Sequence, residues 1–159
     1  MMIRISNIFR IVLSFLLASL GFSCSRWFVA EYGAPHATYK AKGIVVSEED
    51  NSPIEGIKAN FLYYYGSIDY EDEDENYYRY PITTTYTSSS GAFFLKARYM
   101  EGSSKLIVEL LDVDGETNGS FERKIIVADY SNVKLTGGSG WYEGEASINL
   151  GTIKMKPVE

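Results

Sequence analysis

The chain has 159 residues, 45% of them apolar, and a formal charge of −6. That is enough for one domain with an ordinary core, and its acidic balance argues against a DNA- or RNA-binding role. A single cysteine excludes an internal disulfide and any cysteine-rich metal site, and a single histidine leaves most zinc and triad chemistry short of parts.

Thirteen tyrosines, eight phenylalanines, two tryptophans and fourteen glycines favour strands and turns over helices. The tyrosines fit half-exposed faces of a β-sandwich, and a second reading makes them an aromatic platform for a ligand.

Residues 1–23 read as an export signal: Arg4 and Arg10 supply the positive start, and residues 11–22 are apolar but too short for a confident membrane span. Leu20-Gly21-Phe22-Ser23-Cys24 then resembles a bacterial lipoprotein signal, which implies cleavage before Cys24 and diacylation of its sulfur. The usual leucine three residues before the cysteine is replaced by Gly21, with Leu20 one step earlier. An ordinary cleaved signal with an incidental cysteine, or an uncleaved anchor, are the alternatives. Without its export segment the chain carries 13 basic residues against 21 acidic ones, a charge near −8.

Residues 24–37 are expected to be a lipidated N-terminus and tether, irregular at Gly33 and Pro35. His36 would need partners from an acidic loop to bind metal, and its ring or that of Tyr32 is expected to pack on the first strand. Glu31-Tyr32-Gly33-Ala34-Pro35-His36-Ala37, Gly43-Ile44-Val45-Val46, Pro53-Ile54-Glu55-Gly56-Ile57, the segment 112–119 and Leu150-Gly151-Thr152-Ile153-Lys154 together resemble the radical-SAM-associated lipoproteins. These are small exported Gram-negative proteins encoded near radical-SAM enzymes. The resemblance implies a cell-envelope location, outer membrane on its periplasmic or surface side, and a radical-SAM enzyme system as a partner. It implies no activity.

A first strand is expected over 39–47, with an acidic turn at 48–52 before Pro53. From Ile57 the pattern alternates, with Ile57, Ala59, Phe61 and Tyr63 on one face and Lys58, Asn60 and Leu62 on the other. A β-branched strand over 82–87 turns at 88–91 into another over 92–97. Further strands follow at 105–113, with Leu106, Val108 and Leu110 on one face, and at 124–130. Residues 137–140 read as a flexible loop leading to Trp141 and Tyr142. The last strands carry Ala146, Ile148 and Leu150 on one face, then Ile153 and Met155. The fold class is therefore all-β, a single antiparallel β-sandwich over 38–157, transthyretin-like or immunoglobulin-like. Gly43-Ile44-Val45, Pro53 to Ile57 and Gly91-Ala92-Phe93-Phe94-Leu95 resemble the punctuation of carboxypeptidase regulatory-like modules. That resemblance implies that Gly91 turns the chain and that Phe93 and Leu95 enter the core.

Six of the seven residues from 69 to 75 are acidic and tyrosines flank the run. It reads as a solvated loop, with calcium binding or a basic or saccharide partner as alternatives. Asp112, Asp114, Glu116 and Asn118 place oxygen ligands at alternate positions, a candidate calcium loop, although EF-hand spacing is not met and a simple turn is the first reading. No nucleophile elbow, phosphate-binding loop or metalloprotease motif occurs, and the carboxylates sit on turns rather than flanking an apolar cleft. The expectation is a non-catalytic cell-envelope lipoprotein without a cofactor, a binding or interaction module held to the membrane by its lipid and meeting a protein or saccharide partner. The alternative is a substrate or accessory of a radical-SAM maturation system.

Overall fold

The computed structural model describes residues 9–16, 33–64, 80–99, 104–115 and 117–158. Residues 9–16 form a helix on which Phe9, Ile11, Val12, Leu13, Phe15 and Leu16 are all exposed. Among the described residues no helix is long and apolar enough to cross a membrane. Ala34–Glu159 form a separate compact unit.

That unit contains β1 (His36–Ser47), β2 (Lys58–Tyr63), β3 (Thr83–Tyr86), β4 (Ala92–Tyr99), β5 (Lys105–Leu111), β6 (Lys124–Asp129), β7 (Thr136–Ser139) and β8 (Tyr142–Met155). They form two four-stranded sheets, ordered β4-β1-β8-β7 and β3-β2-β5-β6, packed as a sandwich. The period-two pattern decides which side chains meet between them. On β4, Phe93, Leu95 and Ala97 are buried while Ala92, Phe94, Lys96 and Arg98 face out. Ala37, Tyr39 and Ala41 of β1, Ala59 and Phe61 of β2, and Leu106, Val108 and Leu110 of β5 complete the centre of the core. Phe93 and Leu95 lie inside, as the module resemblance implies.

The pairings are antiparallel with one exception: β1 and β8, the first and last strands, run parallel side by side. β1 starts at His36 rather than at residue 39. His36 N donates to Trp141 O (2.9 Å), and Ala37 and Thr38 already pair with strands on both sides. The turn at 88–91 is closed by Gly91 N donating to Ser88 O (2.7 Å), but it is not a hairpin within one sheet. It carries the chain from β3 in one sheet to β4 in the other.

Residues 137–139, expected in a flexible loop, belong to β7 and pair with β8. A Cβ added to Gly144 would lie 2.5 Å from Thr136 O and one added to Gly138 2.5 Å from Glu143 O, so close approach accounts for these two, whereas Gly137 has open space around it and a left-handed φ of 75°. β8 is one strand, not two. Lys42 faces Asn149 and Ile44 faces Thr152, so β8 carries one extra residue at a bulge. The extra residue shifts the inward positions from Ala146, Ile148 and Leu150 to Ile153 and Met155.

Tyrosines close one end of the core. Tyr130 is buried, lies edge-on to Tyr39 at 4.9 Å, and donates its hydroxyl to Lys40 O at 2.9 Å. Burial, with a smaller contribution from Tyr39, pushes the Tyr130 hydroxyl pKa far above the usual tyrosine value. Tyr130→Phe keeps the ring and removes the donor, so urea unfolding is expected to show a loss of about 1 kcal/mol. An unchanged midpoint would mean that the Lys40 carbonyl does not depend on this bond.

Candidate functional site

Because β1 turns Ala37, Tyr39 and Ala41 into the core, Thr38, Lys40 and Lys42 must face the other way. The ladders on either side place a residue next to each. Thr38 stands between Arg98 and Glu145, Lys40 between Lys96 and Ser147, and Lys42 between Phe94 and Asn149. The outer face of the β4-β1-β8 sheet thus gathers Lys40, Lys42, Lys96 and Arg98 in a chain whose overall charge is −6.

At one end of this face His36, Thr38, Lys96, Arg98, Tyr142 and Glu145 line an open groove of about 560 Å³. The His36 and Tyr142 rings are 5.4 Å apart and tilted by 38°. His36 Nδ1 lies 3.2 Å from Ala34 O, and a carbonyl can only accept, so Nδ1 is the donor. Tyr142 donates its hydroxyl to Thr38 Oγ1 (3.3 Å). Lys40 Nζ donates to Glu145 Oε2 and forms an ion pair with it. That bond, helped by the charges of Lys40 and Lys96, holds the Glu145 carboxyl below the usual carboxylate range. Glu145 is therefore ionised through the neutral range and poorly suited to general acid–base work. Among the described residues Lys96 and Arg98 form no ion pair, and Lys96 acts on Glu145 through its charge alone. Further along the face, Lys42, Gly43, Ile44, Asn149, Gly151 and Thr152 line a second depression of about 310 Å³ at the bulge.

A second polar cluster lies on the outer face of the other sheet. Arg123 Nε donates to Glu109 Oε1 at 2.8 Å, and Nη2 is equally close to that oxygen but poorly aimed at it. Asn60 Nδ2 donates to Glu109 Oε2 (2.9 Å), and Thr84 Oγ1 donates to Asn60 Oδ1 (2.8 Å). Asn60 and Glu109 are buried, and nearby Leu62 and Ile107 form a small apolar cluster. With its carboxylate already bonded and enclosed, this cluster serves packing and orientation rather than a ligand.

Apart from His36 and Tyr142, the residues singled out in the sequence lie elsewhere. Cys24, the acidic run at 69–75 and Glu116 fall outside the described residues. Asp112 uses its carboxylate on the chain itself: Phe121 N donates to Oδ2 (2.9 Å) and Asp114 N lies 3.3 Å from Oδ1. Burial raises the Asp112 pKa. Asn118 adopts a left-handed φ of 62° in the same turn. Among the described residues no group of three or more histidine, cysteine or acidic side chains is placed to hold a metal. Thr38, Lys96, Arg98 and Glu145 were missed because each looks ordinary in its own strand. Alternating lysines at 40 and 42 and cations at 96 and 98 were the available signal, and only strand pairing brings them together.

No protein-family model matches the chain, and no curated protein matches it at a significant level. The likeness to radical-SAM-associated lipoproteins therefore rests on the quoted motifs alone. Among solved structures the chain is similar to the Bacillus anthracis TIE protein (10% identity, TM-score 0.41, 77% of this chain and 17% of that one). It is also similar to 3-chlorocatechol 1,2-dioxygenase from Rhodococcus opacus (13% identity, TM-score 0.41, 82% and 63%). A third is a streptococcal ancillary pilin (16% identity, TM-score 0.40, 76% and 33%). The chain thus spans less than two thirds of each of these proteins. Likeness at this level gives this chain no activity, substrate or partner.

Proposed function

We propose that this protein is an exported, lipid-anchored β-sandwich of the Gram-negative cell envelope that acts as a non-catalytic binding module. Its recognition surface is the outer face of the β4-β1-β8 sheet, and its partner is anionic. The observation that carries this reading is the gathering of Lys96 and Arg98, which form no ion pair among the described residues, beside a ring pair in a chain of opposite overall charge. A row of like charges on adjacent strands opposes its own folding, and an anionic partner relieves that repulsion. The commitment of Glu145 to Lys40 supports binding over catalysis. The apolar helix at 9–16, followed by Cys24 at the end of an apolar run, supports export and lipidation over residues 1–24.

Two measurements test this reading. Purified protein at low salt is expected to be retained on a heparin column despite its negative charge, and Lys96→Glu with Arg98→Glu should pass through. Flow-through of the parent protein would remove the binding surface. For the anchor, Cys24→Ala is expected to move the protein from the membrane to the soluble fraction, with signal cleavage followed by intact mass. A parent chain whose mass contains no lipid would overturn the anchor. Mass beyond lipid on the β domain would instead favour modification by a radical-SAM system.

A further inference from the structure

We infer that the groove between the His36–Tyr142 ring pair and Arg98 is a saccharide subsite that takes one carboxylated pyranose unit of an acidic polysaccharide. This rests on the binding-module reading above and gives it a ligand class.

The parts match the ligand group by group. A pyranose offers an apolar ring face, several hydroxyls and, when oxidised at its exocyclic carbon, one carboxylate. Tyr142 is half-buried and its ring is braced at 5.4 Å by His36, with its hydroxyl tied to Thr38, so a stacking surface is held before any ligand arrives. Arg98 faces Thr38 directly across the β1–β4 ladder, and Lys96 follows two residues along on the same outward face. A guanidinium accepts a carboxylate through two parallel hydrogen bonds, and a neighbouring ammonium adds charge without demanding geometry. Hydroxyls need acceptors as well as donors. Glu145, ionised and fixed by Lys40, supplies acceptors. The groove, about 560 Å³, is of a size that holds small molecules, roughly 300–1,000 Å³.

Glu145 also decides between anions. A ligand crowded with sulfates or phosphates would bring negative groups against this carboxylate, whereas a ring bearing a single carboxylate can direct it to Arg98 and present hydroxyls to Glu145. Ser147 and Asn149 follow Glu145 on the same outward face of β8, beside Lys40 and Lys42. Lys42 and Asn149, paired beyond the groove, extend the face with one further cation and one amide, which suits a polymer longer than a single unit.

Isothermal titration of the full-length protein in detergent tests this with four probes: tetragalacturonate, a neutral galactose tetramer, a heparin tetrasaccharide and an acidic peptide with a free C-terminal carboxylate. Tetragalacturonate is expected to bind at least about tenfold tighter than the neutral tetramer, and Arg98→Gln to lose about that factor. Tyr142→Ala should weaken binding by a similar factor while Tyr142→Phe retains it, which separates the ring's role from the hydroxyl bond to Thr38. Equal affinity for galacturonate and its neutral counterpart, or no loss in Arg98→Gln, would overturn the subsite. Preference for heparin or for the peptide would also overturn it while leaving an anion-binding face in place. Absence of binding to every probe, with no retention on the heparin column, would remove both the subsite and the reading beneath it.

Discussion

Arg123→Met is expected to destabilise the fold by about 3–5 kcal/mol, measured by urea unfolding, and adding Glu109→Gln is expected to recover most of that loss. Glu109 is 3% exposed, and its carboxylate is satisfied by Arg123 on one oxygen and by Asn60 on the other. Removing the guanidinium leaves an ionised group enclosed beside Leu62 and Ile107 with one neutral donor, and the desolvation cost is no longer offset. A glutamine at 109 removes that charge while its carbonyl still accepts from Asn60 Nδ2. The bond from Thr84 to Asn60 is untouched in either variant. A single variant as stable as the parent would show that water reaches Glu109 and that the pair contributes little. A double variant no better than the single one would show that the Arg123 stem supplies packing rather than charge.

Gly91→Ala is the second substitution with a large expected effect, a loss of about 3 kcal/mol or more. Gly91 has a φ of 72°, a conformation that costs an L residue roughly 1–2 kcal/mol. A Cβ there would lie 2.3 Å from Val45 O, and backbone cannot step aside as a side-chain tip can. That carbonyl accepts from Ile54 N (3.1 Å), and Val45 N donates to Gly91 O (2.8 Å). Relieving the clash pulls apart the junction of β1, the Pro53–Ile57 segment and the turn into β4, and each buried backbone group left unpaired adds about 1–3 kcal/mol. Thermal and urea unfolding should both register the change. A variant within 0.5 kcal/mol of the parent, roughly the scatter of a neutral surface substitution, would mean that the turn can be rebuilt.

These two sites differ in how far sequence alone reveals them. Gly91 followed by Phe93 and Leu95 is a local signal, because turn chemistry and a period of two both act over a few residues. The same holds for the alternation through Ala59 and Phe61 and through Leu106, Val108 and Leu110, which is why the two-sheet class and most strands were legible. The parallel partnership of β1 with β8 left no local mark: its strands are a hundred residues apart in the chain, and parallel pairing has no hairpin to announce it. The bulge in β8 showed only as a change of buried parity between Leu150 and Ile153. Gly138 read as slack because glycine has the same letter in a mobile loop and in a crowded ladder. The groove was least legible of all. Its residues come from β4 and from the starts of β1 and β8, one of them a residue expected in a tether, so no window of sequence contains it. Acidic clusters drew attention because they are contiguous, yet the cations, spread over two strands, are what the fold collects.

The parallel seating of the first and last strands has a mechanical consequence. When the domain is tugged at the start of β1 and at the end of β8, the two strands are dragged lengthwise in opposite directions. Every hydrogen bond between His36–Ser47 and Tyr142–Met155 then shares the load at once, as in a lap joint under tension. An antiparallel pair gripped at one end would instead peel open bond by bond.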